Sequence, residues 1–300
     1  MAPEAQADVP PPPRRSPAPD VRSRHAAVPR PTPLRPLTTP DVLDGAVAII
    51  KADPRTVLLI SALFVVPVQV VVAYLQRDAL GGLGFAEITS DPSLAGTAGN
   101  SDSSGGATLV AFVGGSLALN LVAAAIARLV SGWYAGAPPT TGQALARTAR
   151  RAPVLVLVWA VVHAAELVGA VLLFLPALGV MTIFVVTAPV VGVEDVGPFA
   201  ALARSARLVG RRFWQVLGTA LLIGVVGTVL TQTLGLLPTL PVLFGFEAAW
   251  VVVAIGGSAV SLFTTAYVAA ATVLLYLDLR VRVEGLDIEL RALDVLDRAA

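Results

Sequence analysis

The stretch PVLVLVWAVVHAAELVGAVLLFLPALGVMTIFVVTAPVVGV, residues 153 to 193, decides the fold of this chain. It is 41 residues long and almost entirely apolar. As one helix it would be about 60 Å long, which is twice the hydrocarbon thickness of a bilayer. The stretch therefore has to fold back on itself, and Pro176 with Gly179 marks the predicted turn. Two consecutive membrane spans indicate an all-α, polytopic membrane protein.

The composition of the whole chain agrees with this class. Hydrophobic residues make up 56% of the sequence, charged residues 14%, and the mean hydropathy is +0.79. Soluble domains carry about 25% charged residues. The sequence has no cysteine, which excludes disulfides, thiolate zinc sites and cysteine nucleophiles. Lys51 is the only lysine beside many arginines, a bias typical of GC-rich bacteria, so we expect a bacterial plasma membrane.

Six segments are long and apolar enough to cross a bilayer, which takes about 20 residues. They cover approximately residues 57–75, 107–130, 153–175, 178–193, 214–236 and 250–277. A turn at Pro238 and Pro241 separates the last two. The predicted membrane domain extends over residues 39–283, and residues 284–300 form a short cytoplasmic tail.

Residues 1–38 are rich in proline and arginine and lack a run of apolar residues. Such a segment cannot bury a core, so we expect a disordered cytoplasmic tail. A role as a ligand for a proline-binding partner or for anionic lipid is the alternative to a merely solvated tail. Order should begin with Thr39 as N-cap, Pro40 in the first helical position and Asp41 in the first turn.

Positive charge predicts the orientation. With the tail in the cytoplasm, six spans place every Lys and Arg except Arg77 on the cytoplasmic side. Short cytoplasmic loops of membrane proteins carry an excess of Lys and Arg. Both termini are therefore expected inside.

Two nearly identical segments, ALARTAR at 144–150 and ALARSAR at 201–207, each precede a pair of spans. Helix 40–52 fills the same place before the first pair. The chain is thus predicted to contain three hairpins, each preceded by a short amphipathic helix at the cytoplasmic interface. Basic helices in that position attract anionic headgroups. The arginines expected to contact headgroups are Arg147, Arg150, Arg151, Arg204, Arg207, Arg211 and Arg212.

Small residues recur every fourth position in the last two spans. They are Ala220, Gly224, Thr228 and Gln232 in the fifth span, and Gly257, Ser261, Thr265 and Ala269 in the sixth. Such stripes let helix backbones approach closely, so we expect helix packing, with a pore lining as the alternative.

His163 and Glu166 lie one turn apart within the third span. Ionisable groups inside a membrane are expensive and should face protein. A structural hydrogen-bonded pair is the favoured interpretation, and a proton or substrate role is the alternative. A metal site would need further ligands, and no other His or Cys lies within the predicted spans, so we expect no metal.

The C-terminal segment YLDLRVRVEGLDIEL, residues 276–290, alternates apolar and charged residues. Alternation favours a strand, but a lone strand is not stable in an all-helical chain. We therefore expect the last span to continue as helix to about Arg282 and to end at Gly285. Residues 287–298 are predicted to form a short helix.

This segment, PLRPLTTPDVLDGA at 33–46 and PFAALARSARLVGRRFWQVLG at 198–218 together resemble the actinobacterial branch of the glycerophosphoryl diester phosphodiesterase membrane-domain family. The resemblance covers about residues 34–290. Some members of that family carry a cytoplasmic phosphodiesterase barrel with paired His and clustered carboxylates around a divalent metal. This sequence contains no such barrel, so the resemblance implies the membrane module alone.

The sequence favours a non-catalytic integral membrane module that acts as a scaffold or accessory to a partner in the envelope or in lipid metabolism. A small transporter or permease that uses His163 and Glu166 is the alternative. An intramembrane enzyme is the third alternative. Ser258 follows two glycines, as in the nucleophile motif of an intramembrane serine protease, but the stripe of small residues also explains this pattern. No catalytic residue and no cofactor is predicted. Expected partners are anionic membrane lipids and a membrane or cytoplasmic protein, and not nucleic acid.

Overall fold

A computed structural model describes residues 35–77, 103–172, 175–243 and 249–288 of the chain. Within these ranges the chain is almost entirely helical. In chain order the helices are α1 (Thr39–Ala52), α2 (Pro54–Leu75), α3 (Ser103–Tyr134), α4 (Thr141–Val171), α5 (Leu175–Phe184), α6 (Thr187–Glu194), α7 (Pro198–Gly210), α8 (Phe213–Leu243) and α9 (Ala249–Glu284).

The predicted fold class is confirmed: the described chain is helical and has six segments long and apolar enough to cross a membrane. These segments are Pro54–Leu75, Gly105–Tyr134, Thr141–Val171, Leu175–Glu194, Phe213–Pro241 and Val251–Glu284. Helix α9 packs against α1, α2, α3 and α8, and α3 also packs against α2, α4 and α6. The buried core accordingly lies along α3 and α9.

The ends of the first and last helices follow the expected local chemistry. Thr38, rather than Thr39, is the N-cap of α1, and it forms a capping box with Asp41. At the other end, α9 continues to Glu284, and Gly285 follows it with a φ of 71°. A left-handed glycine is a common helix terminator, so the predicted end is confirmed. Of the short helix predicted at 287–298, most lies outside the described residues.

The second amphipathic segment differs from the prediction. Helices α1 and α7 are separate helices, but ALARTAR forms the first turns of α4 and continues without a break into the span. Pro153 lies inside α4, yet it does not end the helix. The third copy is interrupted: α7 ends at Gly210, and Arg211 and Arg212 form a turn before α8 begins at Phe213. The segment 144–150 is therefore not a separate interfacial helix.

The fourth span is broken into α5 and α6. Pro189 has no N–H to donate to the carbonyl of Val185, so the helix ends at Phe184 and starts again at Thr187. Pro176 and Gly179, where the sequence predicted the fold-back, both lie within α5, and α4 ends before them at Val171. Pro176 is tolerated because it falls in the first turn of α5, where its missing N–H is not needed.

The turn predicted at Pro238 and Pro241 is not at these residues, because α8 continues through both prolines to Leu243. Helix α9 approaches this part of α8 closely. A Cβ on Gly256 would lie 2.3 Å from the ring of Pro238. The absence of a side chain at Gly256 is thus what permits the approach.

Candidate functional site

A cavity of about 390 Å³ lies between α2, α3, α8 and α9. We call it the large cavity, to distinguish it from a smaller neighbour of about 170 Å³. Polar but uncharged side chains from all four helices line it: Gln69, Ser116, Thr228, Thr231, Gln232, Ser261, Thr264 and Thr265. The remaining lining residues described are Gly, Ala, Val and Leu. The large cavity is therefore an open pocket between apolar helices at which hydroxyl and amide groups converge.

Hydrogen bonds within the wall fix what these groups offer. Gln69 Nε2 donates to Ser261 Oγ at 2.8 Å. The hydroxyls of Thr231 and Thr264 donate to carbonyls of their own helices, which leaves oxygen lone pairs as acceptors. Gln232 makes no hydrogen bond among the described residues. Its amide is free to donate and accept.

The small-residue stripe on α8 does not make the close helix contact that its spacing predicted. A Cβ on Gly224 would meet nothing within 4 Å, whereas one on Gly227 would lie 2.8 Å from a methyl group of Val268. Gly227 thus provides the close approach, although it lies outside the stripe. Gly224, Thr228 and Gln232 instead face the large cavity. Helix packing was the wrong interpretation for this part of α8.

A second cavity of about 170 Å³ lies next to it, between α3, α5, α6, α8 and α9. We call it the small cavity. It shares Leu119, Gly224 and Val268 with the large cavity and adds the polar residues Asn120 and Thr272. From Ala220 to Gln232, the two cavities follow α8 over about 18 Å at the usual helical rise. Together they cover more than half of the hydrocarbon thickness of a bilayer, which is about 30 Å.

The predicted pair His163 and Glu166 lies outside both cavities, between α3 and α4. His163 Nδ1 is 3.0 Å from the carbonyl oxygen of Trp159. A carbonyl can only accept, so Nδ1 carries a proton and Nε2 faces Glu166. The distance from Nε2 to Glu166 Oε2 is 4.0 Å, too long for a hydrogen bond. The pair is adjacent but is not the hydrogen-bonded pair that the sequence predicted.

Aromatic packing holds the His163 ring in place. The ring lies 4.6 Å from the ring of Trp159 and 5.7 Å from that of Phe112, measured between centroids. Trp159 Nε1 donates to Ser116 Oγ at 2.9 Å, and Ser116 lines the large cavity. The pair is thus connected to the cavity wall through Trp159 rather than exposed in it.

At one end of the bundle, arginines and carboxylates from α3, α4, α6, α7 and α9 meet. We call this the basic end. Arg204 of α7 hydrogen-bonds both Glu194 and Glu284, and its side chain is only 19% exposed. Tyr276 donates to Glu194 at 2.9 Å. The hydrogen bond to Glu284 and the contacts with Glu194 raise the pKa of Arg204 above its ordinary value. Arg204 therefore ties α7 to two other helices instead of reaching towards headgroups.

The other predicted headgroup arginines divide into two groups. Arg151 Nε is 3.2 Å from Asp195, which also accepts a 2.7 Å hydrogen bond from Arg128. The remaining five are exposed: Arg147, Arg150, Arg207, Arg211 and Arg212. Contact of these five with anionic lipid remains a prediction.

Asp278 and Arg282, four residues apart on α9, form another ion pair at the basic end, and the sequence analysis missed its link to the segment before α1. Asp278 accepts hydrogen bonds from Arg282 and from the backbone N–H of Leu37, the latter at 2.6 Å. Leu37 is 5% exposed, and its carbonyl accepts from Arg282. The segment before α1 is thereby fixed to the end of α9. Packing at this end begins two residues before Thr39.

No protein-family model, curated protein or solved structure matches this chain. The resemblance to the glycerophosphoryl diester phosphodiesterase membrane-domain family therefore stays a prediction that rests on the three quoted segments.

Proposed function

We propose that this chain is a non-catalytic, multi-pass protein of a bacterial plasma membrane that carries small, uncharged, polar solutes, and that both its termini are cytoplasmic. The observation that supports this permease role is the large cavity. Its volume of about 390 Å³ lies within the range of small-molecule sites, about 300 to 1,000 Å³.

The chemistry of the lining selects the class of solute. All the polar side chains that line the large cavity in the described structure are amides and hydroxyls. An ion would lose its hydration there without meeting an opposite charge, and the loss is expensive in an apolar surrounding. A solute with several hydroxyl or amide groups could exchange its water for Gln69, Thr228 and Gln232. Polyols and comparable neutral molecules fit this requirement.

In this proposal His163 and Glu166 support the wall of the cavity through Trp159 and Ser116. They lie outside both cavities, so they do not contact the solute. This assignment differs from a permease that uses the pair as its functional groups.

A thermal unfolding assay on the full-length protein in neutral detergent tests the site. A ligand that binds the folded state raises the unfolding temperature. Millimolar erythritol, xylitol and sorbitol would be compared for the wild type, Thr228→Val in the cavity, and Thr239→Val as an exposed control on the same helix. We expect at least one polyol to stabilise the wild type and Thr239→Val and to have little effect on Thr228→Val. Equal shifts in all three proteins, or no shift in any, would reject the site.

A second candidate is the scaffold or accessory role in the envelope or in lipid metabolism. The ion pairs of the basic end favour it, because Arg204 with Glu194 and Glu284 holds α6, α7 and α9 in one arrangement. Such an arrangement would present the exposed Arg207, Arg211 and Arg212, on α7 and directly after it, to a protein partner or to anionic headgroups as a fixed surface. Crosslinking in native membranes distinguishes the roles, since a scaffold requires a stable partner and a carrier does not.

A further inference from the structure

A third cavity, of about 600 Å³, lies at the basic end between the last turns of α3, the connection 135–140 and the first turns of α4. We call it the basic pocket. Its polar lining consists of Arg128, Ser131, Gln143 and Arg147. It shares no lining residue with the large or the small cavity. Its chemistry differs too, because two arginines line one space.

The walls of the basic pocket are fixed by the backbone. After α3, Gly136 has a φ of 70°, and the N–H of Ala137 donates to the carbonyl of Gly132 at 3.0 Å. A Cβ on Gly132 would lie 2.4 Å from the ring of Pro139. The connection folds back onto α3 because Gly132 has no side chain. The pocket therefore exists without a ligand to shape it.

The charges around the basic pocket do not balance. Arg128 and Arg151 both contact Asp195, at 2.7 and 3.2 Å. Arg147 lines the pocket and has no ion-pair partner among the described residues. Two guanidinium groups thus share the Asp195 carboxylate, and Arg147 adds a third positive charge at the pocket wall. The Arg128 side chain is only 11% exposed, so its charge is poorly screened by water.

Neutral donors complete the lining. Gln143 accepts from the N–H of Thr140 through its Oε1 at 3.0 Å, which leaves its Nε2 group as a donor. A guanidinium carries five N–H donors in a planar fork that matches the oxygens of phosphate. Two arginines and an amide donor in one pocket favour binding of a tetrahedral oxyanion with more than one negative charge. A carboxylate, with two oxygens and one charge, would use fewer of these donors.

We propose that the basic pocket binds a phosphate group, either the headgroup of an anionic phospholipid or a soluble phosphate. Arg128 and Arg147 hold the phosphate oxygens and Gln143 donates an additional hydrogen bond. This site is independent of the proposed solute cavity, and either can fail without the other.

Direct binding to the full-length protein in neutral maltoside detergent tests the proposal. The probes are radiolabelled inorganic phosphate in equilibrium dialysis and dioctanoyl phosphatidic acid in native mass spectrometry. The variant is Arg147→Gln, and the matched control is Arg150→Gln, which removes an exposed arginine on the same helix that does not line the pocket. Charge-assisted hydrogen bonds are about twice as strong as neutral ones, so we expect Arg147→Gln to weaken binding about tenfold or more. Arg150→Gln should change it by less than about twofold.

The two probes identify the source of the phosphate. Binding of inorganic phosphate that depends on Arg147 indicates a soluble ligand, and binding of phosphatidic acid alone indicates a lipid headgroup. Arg147→Lys should recover part of the affinity, because it restores the charge without the fork. Equal losses in the Arg147 and Arg150 variants would show general surface attraction and overturn the proposal. So would the failure of both probes to bind the wild type.

Discussion

Gln69 of α2 donates a 2.8 Å hydrogen bond to Ser261 of α9, and both residues line the large cavity. This bond joins two spans that are 192 residues apart in the sequence. It also orients the Gln69 amide, since Nε2 is engaged and Oε1 is left to face a ligand. The polar wall of the large cavity is therefore built by contacts between helices and not by one helix alone.

The variant Ser261→Ala separates the structural from the binding role of this bond. Hydrogen bonds between membrane helices contribute about 0.6 kcal/mol on average, so the protein should remain folded and unfold slightly more easily. Solute binding should weaken by more than this small loss of stability implies, because Gln69 is no longer held in position. Detergent unfolding and solute binding would be measured on the same preparation. Unchanged solute binding would show that the bond has only a structural role.

Removal of Arg204 should destabilise the basic end. The variant Arg204→Gln leaves Glu194 and Glu284 without their shared partner, and hydrogen bonds to charged groups contribute about 1.5 to 3 kcal/mol. We expect the free energy of unfolding to fall by about 2 kcal/mol. The exposed Arg207 on the same helix provides the control, and Arg207→Gln should change it by less than about 0.5 kcal/mol. If both variants unfold alike, Arg204 does not tie the helices together.

The variant Glu166→Gln tests whether the intramembrane pair has a functional role. Glutamine keeps the size of the side chain and loses the titratable group. Because His163 and Glu166 are 4.0 Å apart and make no hydrogen bond with each other, stability should change by less than about 1 kcal/mol, which is the net contribution of one hydrogen bond. Solute permeability should also stay near that of the wild type, because the pair lies outside both cavities. A folded Glu166→Gln protein that no longer carries solute would assign the carrier function to His163 and Glu166.

Cysteine labelling tests the proposed orientation, because the natural sequence contains no cysteine. On α7, Ser205 is buried and its hydroxyl donates to the carbonyl of Ile183, so it is unsuitable for labelling. We therefore choose Ala203, which is exposed. With cytoplasmic termini, Ala203→Cys should be protected from an impermeant thiol reagent applied to intact cells. Thr239→Cys, near the opposite end of α8, should react. The reverse pattern would invert the topology.

The spans could be predicted from sequence because they depend on length and apolarity alone. Gly285 could be identified as a helix end because its conformation is a local property. Arg204 could not be distinguished from Arg207, since one partner, Glu284, is 80 residues away and reaches it only after α7 and α9 pack. Local charge patterns carry no information about such a partner.

The cavities could not be predicted from the sequence for a different reason. A stripe with a period of four residues is the same whether it faces a neighbouring helix or an empty space. The rotation of α8 decides which, and it brings Gly227 against Val268 and leaves Gly224 open. Single polar residues such as Gln69 and Ser116 did not indicate a cavity, because each lines it only together with residues of three other helices. The break between α5 and α6 was missed because Pro189 was counted as part of an apolar run.

The permeability of reconstituted vesicles tests the carrier proposal most directly. Gly224 lines both cavities, and a Cβ there would meet nothing, so Gly224→Leu should fill the cavities without disturbing the packing of α8. Gly235 on the same helix is equally open and lines neither cavity, so Gly235→Leu is the matched control. Stopped-flow light scattering would follow the swelling of vesicles in erythritol, xylitol and sorbitol. We expect the wild type and Gly235→Leu to admit at least one of these polyols, and Gly224→Leu to swell no faster than vesicles without protein. Swelling of Gly224→Leu vesicles at the rate of the wild type, or no polyol entry through the wild type, would contradict the account.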